Sequence, residues 1–282
     1  MNSEKKYKDE SFFFRGNNNI GILLLHGWTS PPDELLPLAK HLNSFGYTVS
    51  APLLTGHGTK PEDLKGTTWH DWLRDSRKAL EELKKYLSLT IDTIENKAKA
   101  DSSHCRKRGP AVRDEVKIFV GGISMGANLA MLLSEDERVC GIIAMGPSVK
   151  YKFHNLAKLS IFLIGLTKTY RKKYYPPWVR KKMGKRKVYP YYPVESVKTV
   201  FELAEETRKF LPRIEKPILI MQSTTDHMVS KKSPQMIFDG VKSKMKEIFW
   251  IENVYHVFAE EKKVGEKILQ FINSNNQIPI TK

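Results

Sequence analysis

Gly122-Ile123-Ser124-Met125-Gly126 is the single G-x-S-x-G in the sequence. It follows an apolar, β-rich run (VKIFVG) and precedes a stretch with small residues at Gly126, Ala127 and Ala130. A strand-to-helix turn this tight strains its central residue, and side chains two positions to either side would clash. Glycines at 122 and 126 remove that clash and push Ser124 Oγ into the open. The helix that follows aims its first N–H groups at the same place, which suits an oxyanion. A chance glycine-rich turn is the competing explanation, and it leaves the flanking strand and helix unaccounted for.

A serine hydroxyl is a poor nucleophile near neutral pH, so it needs a base, and the base needs an orienting acid. In sheets that carry this turn the chain order is nucleophile, acid, base. His26, His41, His57, His70 and His104 precede Ser124, and His154 precedes any later strand able to present an acid. His227 adjoins Asp226 too closely for the two side chains to face each other. His256 remains, a few residues past the last apolar run. Asp226 is the first acid after the run PILIMQ. The bland alternatives are a helix-start histidine and a turn aspartate. The backbone N–H of Trp28, after His26-Gly27, would join that of Met125 as a pair of oxyanion donors. His26 and His57 read as residues that fix loops. No Cys/His cluster has metal-ligand spacing, so no metal and no cofactor are expected.

These groups need a frame. Apolar β-rich runs alternate with helical patterns, which predicts a mostly parallel sheet flanked by helices. Strands are expected at Ile20–Leu25, Tyr47–Leu54, Val116–Gly121, Val139–Met145, Pro217–Gln222 and Glu247–Ile251. Helices are expected at Pro32–Phe45, Trp69–Leu87, Ser124–Ser134 and Phe258–Asn273, with Gly46 ending the first. Periodicity fails between Thr90 and Glu115, so a surface excursion is expected over about 91–115. Asp226 and His256 then leave carboxyl ends of strands, the edge where open α/β sheets place their sites.

The stretches LLLHGWTSPPDELLPLAKHLNSFGYTVSAPLLTGHGTKPEDL, TTWHDWLRD, GGISMGANLA and STTDHMVS, with the final strand and His256, resemble the bacterial carboxylesterase and monoacylglycerol lipase group of the α/β-hydrolase superfamily. The resemblance covers most of residues 18–90, 116–147 and 212–273. It implies an α/β-hydrolase fold and a triad of Ser124, Asp226 and His256, with Trp28 and Met125 at the oxyanion hole. It also implies a small cap over the acyl site at 148–200, inserted into one core domain of 1–147 and 201–282. A small-molecule or lipid ester is the substrate this implies. Two rivals stand beside hydrolysis: an acyltransferase using the same acyl-enzyme, and a non-enzymatic ligand-binding relative. Trp28 stands where this family more often has phenylalanine, and its bulk is expected to narrow the acyl pocket.

Composition sets the remaining bounds. Hydrophobic residues make up 40% of the 282, enough for one domain with an insertion. The net charge is +16, and residues 148–200 hold fourteen Lys/Arg against Glu195 alone, so +13 of it sits in the cap. Either the cap's apolar run Leu156–Leu166 roofs the pocket among solvated lysines, or the cap meets an anionic membrane. Nucleic acid is not the expected partner, since charge alone suggests it and no binding motif accompanies the charge. Two cysteines, and no apolar stretch suited to a signal peptide or a bilayer span, lead to the expectation of a cytoplasmic protein, peripheral to the membrane if the cap docks.

Overall fold

The computed structural model describes residues 10–101, 116–152, 154–184 and 186–276, with the side chains at 91–101, 154–158 and 162 left out. The expected run of strands and helices is present. The chain opens with β1 (Phe12–Phe14), β2 (Ile20–Leu25), α1 (Leu36–Asn43), β3 (Thr48–Ala51) and α2 (Trp69–Asp101). It continues through β4 (Lys117–Ile123), α3 (Met125–Leu132) and β5 (Val139–Met145). Between β5 and the next core strand come α4 (His154–Gly165), β6 (Tyr170–Lys172), α5 (Pro177–Met183), β7 (Tyr191–Pro193) and α6 (Val194–Phe210). The chain closes with β8 (Ile218–Ser223), α7 (Lys232–Gly240), β9 (Lys246–Ile251) and α8 (Lys262–Asn275).

Seven strands form one sheet in the order β1-β3-β2-β4-β5-β8-β9. All pairs are parallel except β1 with β3. Every residue of β2, β5 and β8 is buried, as parallel strands covered on both faces require. Alternate residues of β2 serve opposite faces. Leu23 and Leu25 pack with Trp72, Leu83 and Leu129 under α2 and α3. Ile20, Ile22 and Leu24 pack with Leu38, Leu42, Ile268 and Ile272 under α1 and α8. Gly21 in β2 leaves room for Leu83 and Leu87 of α2, whose side chains a Cβ would meet at 3.1 and 2.7 Å.

Register sets where the loops emerge. Leu25 pairs with Gly122, Ile123 with Met145, Met145 with Met221, and Ser223 with Ile251. The carboxyl ends of β2, β4, β5, β8 and β9 therefore align along one edge, and the loops holding Trp28, Ser124, Asp226 and His256 all leave from it.

Four differences from the expectations have physical reasons. β1 was not foreseen, because three phenylalanines after a charged terminus show no alternation. β3 is shorter than Tyr47–Leu54, since the chain turns off the sheet at Pro52. α2 continues to Asp101 where an excursion from about residue 91 was expected, and 102–115 lie outside the described residues. α6 begins at Val194, so the expected cap boundary at 200 falls inside a helix. Its Val200, Leu203 and Phe210 already pack into the core beside α3. Among the described residues no helix is long and apolar enough to cross a membrane.

Candidate active site

Ser124 sits between β4 and α3 with φ 56° and ψ −113°, a left-handed conformation that a non-glycine residue adopts only when its surroundings enforce it. Its N–H donates to Met145 O at 2.8 Å, which ties the turn to the neighbouring strand. A Cβ at Gly122 would lie 2.3 Å from the Gly126 carbonyl carbon, and one at Gly126 would lie 2.0 Å from Leu25 O. Both glycines are therefore steric necessities. The close approach of Gly126 also brings the start of α3, where Met125 stands, against the end of β2.

Asp226 lies in the loop after β8 and is buried. Its Oδ1 accepts the N–H groups of Met228 (2.8 Å) and Val229 (2.9 Å). Its Oδ2 accepts Gln222 Nε2 at 2.7 Å and faces His256 Nδ1 at 2.6 Å. Burial pushes its carboxyl pKa up, but the charge and hydrogen bond of His256, with the two backbone donors, hold it below the usual carboxylate range. Lys152 Nζ donates to the Asp226 carbonyl.

A carboxylate can only accept, so His256 Nδ1 carries the proton and Nε2 is left as the basic nitrogen. The imidazole is buried, packed on Gly146 (φ 55°), where a Cβ would lie 3.3 Å from Cε1. Nε2 finds no hydrogen-bond partner among the described residues. Ser124 and His256 line one cavity of about 300 Å³, walled by Trp28, Tyr151, Tyr175, Tyr192 and Phe201 among others. Asp226 stands behind His256, outside that wall. Met125 turns its side chain into the core and contributes its place at the head of α3.

The loop after β2 is held from below. His26 Nε2 accepts the Leu54 N–H at 3.1 Å, and Nδ1 donates to Gly27 O at 3.0 Å. Burial lowers its pKa to about 4. His57 packs edge-on against His26 and Trp72, and burial followed by the His26 charge lowers its pKa well below 6.5. Both are neutral loop-fixing residues. His227 does not face Asp226; its ring meets Tyr175, Trp178 and His256 at centroid distances of 6.1–6.3 Å.

Several groups here were not anticipated. Glu34 is buried and accepts the Gly27 N–H at 2.5 Å. Gln222 fixes Asp226. Lys173 and Arg186 line the cavity although they belong to basic runs that read as solvated charge. Strand periodicity was the available signal for one of them, because Arg171 and Lys173 are two residues apart.

A family model described as serine aminopeptidase, S33, matches residues 100–263. The thermostable monoacylglycerol lipase of Bacillus sp. strain H-257 is 30% identical over 268 residues, covering 92% of each chain. The carboxylesterase of Bacillus subtilis strain 168 is 24% identical over 266 residues, covering 93% of this chain and 95% of that one. A solved structure from work on two metagenome-derived lipolytic enzymes, LipS and LipT, superposes with a TM-score of 0.72 at 27% identity. It covers 95% of this chain and 98% of its own.

Proposed function

The chain belongs to the α/β-hydrolase family of these lipases and esterases, and from that premise we propose that Ser124, Asp226 and His256 are the catalytic triad of a carboxylic ester hydrolase. The observation that supports this most is the strained Ser124 at the wall of the cavity that His256 also lines, with His256 Nδ1 2.6 Å from the buried Asp226. His256 Nε2 takes the Ser124 proton as Oγ bonds to the ester carbonyl carbon. The oxyanion accepts hydrogen bonds from the N–H groups of Trp28 and Met125, each such donor contributing about 10²–10³ in rate. The tetrahedral intermediate collapses by breaking its bond to the alkoxide, which takes the proton back from Nε2. Water then repeats the sequence on the acyl-enzyme and releases the acid.

Ser124→Ala tests this directly. Hydrolysis of p-nitrophenyl esters from acetate to palmitate, and of monoacylglycerols, should fall by about 10⁴–10⁶ in kcat while the fold persists. A fluorophosphonate should label Ser124 alone. Labelling of another serine, or wild-type rates in the variant, would refute the assignment.

Residues 148–200 form the expected cap in this reading, and its outer face supports a second element. Ile161 of α4 lines the cavity, whereas Leu159 and Leu163 on the same helix, then Leu166 and Trp178, are exposed outside it. Lys168, Lys172, Arg180 and Lys181 of the same segment are exposed as well. We propose that this face rests on an anionic membrane from the cytoplasmic side.

A further inference from the structure

The two sides of the cavity differ in kind. Ile161, Val197, Val200 and Phe201 supply an apolar side, while Arg171, Lys173 and Arg186 supply cations and Glu34 the one facing carboxylate. Glu34 is already engaged, accepting the Gly27 N–H and lying 3.8 Å from Arg186. Arg186 also reaches Glu260 at 3.8 Å, so its charge is compensated.

Lys173 and Arg171 are not compensated in that way. Two positions apart on the β6 extension, they share a face, and both line the cavity, Arg171 at an exposed position, whereas Lys172 between them does not. The backbone N–H of Lys173 donates to Pro190 O at 2.9 Å, continuing the ribbon. Its Nζ lies 5.5 Å from the Trp28 ring and 5.9 Å from that of Tyr175, and donates to the Thr29 hydroxyl. Among the described residues neither Lys173 nor Arg171 has a carboxylate within ion-pairing distance. Burial without a counter-charge disfavours an ammonium, and it lowers the Lys173 pKa to about 7 against the weaker opposing pull of Glu34. A cavity serving only neutral acyl chains would be better lined here by methionine or leucine.

We infer that this pair is an anion subsite, and that the substrate is a monoacyl ester whose alcohol portion carries a phosphate or carboxylate. The inference rests on the ester-hydrolase reading and names its substrate class. The acyl chain lies on the apolar side. The anionic group meets Lys173 and Arg171 beside the loop that holds the scissile carbonyl.

The test compares kcat/KM for three lauroyl esters below their micellar concentrations: 1-lauroylglycerol, 1-lauroylglycerol 3-phosphate and lauroyl lactate. Wild-type protein should favour at least one charged ester over the neutral one by about tenfold, and which one separates phosphate from carboxylate. The ratio should fall toward one in Lys173→Met, mainly through KM, and return in Lys173→Arg. Arg171→Gln, at a more exposed position, should lower it in the same direction and serves if Lys173→Met fails to fold. A wild-type ratio at or below one, or a ratio unmoved by these variants, overturns the inference while leaving ester hydrolysis standing. No turnover of any of the three would remove both.

Discussion

Asp226 accepts four hydrogen bonds from four different groups, and that environment defines what its replacement should do. Asn at 226 keeps the volume but presents an N–H₂ to donors, either Gln222 and His256 or the two backbone N–H groups. With the N–H₂ toward His256, Nδ1 must accept and the imidazole is driven to the other tautomer. Asp226→Asn should lower kcat on p-nitrophenyl butyrate by about 10⁴, with about 1–3 kcal/mol lost in denaturant unfolding from the unsatisfied donors. Full activity in this variant would show that another acid orients His256. The buried histidines add a pH effect. His26 is held at a pKa of about 4 and His57 well below 6.5, while both titrate near 6.5 once unfolded. Below pH 6.5 the unfolded chain binds protons that the folded one refuses. Stability is therefore full above 6.5 and declines toward pH 4, by about 1.4 kcal/mol per unit per histidine. The melting temperature should drop between pH 7 and pH 5, less steeply in His57→Phe, and a flat profile would contradict their burial as neutral groups. At this scale the motif and chain order pointed to Ser124, Asp226 and His256, and the fold brings Ser124 and His256 to one cavity with Asp226 hydrogen-bonded behind. Glu34, Gln222 and Lys173 were illegible because their meaning depends on which side chains face across the fold.

The elbow shows how elements constrain residues. At Gly126 an added methyl would enter the backbone of β2, which cannot move without disturbing the parallel sheet. At Gly184 the backbone is also left-handed, with φ 56°, yet nothing lies within 4 Å of an added Cβ. Gly184→Ala should therefore cost only the conformational penalty of about 1–2 kcal/mol. Gly126→Ala should cost at least that from overpacking and abolish activity by displacing Ser124 and the Met125 peptide. Urea unfolding and esterase rates on both variants check the contrast; equal effects would mean the contact is soft. Buried strands such as β2, β5 and β8 were legible because their runs are continuously apolar, and Gly46 (φ 87°) ended α1 as its position implied. The end of α2 was not. Leu80, Leu83 and Leu87 of its apolar stripe are buried, and the helix runs on through ENKAKA, whose residues mostly have good intrinsic propensity although they are charged and lack apolar periodicity.

Charge asymmetry belongs to the molecule as a whole, and it is the property that burial explains least. Segment 148–200 carries +13 of the net +16, and only part of that is answered internally, by pairs such as Lys187 with Asp33 at 2.8 Å and Arg186 with Glu34. The sequence left two roles open for the apolar run of α4, as pocket roof or as exposed surface. The helix divides them, with Ile161 inward and Leu159 and Leu163 outward. Exposed apolar and aromatic side chains ringed by cations suit the headgroup region of a membrane. Each basic residue close to an anionic surface contributes about 1 kcal/mol, so the four exposed outside the cavity would hold the protein there at low salt. That attraction is screened over about 10 Å at 0.1 M salt, which gives the prediction its signature. Ser124→Ala protein, used so that the vesicles are not hydrolysed, should co-sediment with phosphatidylserine-containing vesicles at about 50 mM salt. It should be released at about 500 mM and recovered poorly with neutral phosphatidylcholine vesicles. Lys172→Glu with Lys181→Glu should weaken binding to the anionic vesicles and flatten its salt dependence, whereas Trp178→Ser should weaken it at both salt concentrations, because burial of an indole is not screened. Equal recovery with anionic and neutral vesicles at low salt would refute electrostatic docking and leave the exposed cations as solvated charge on the outside of the cap.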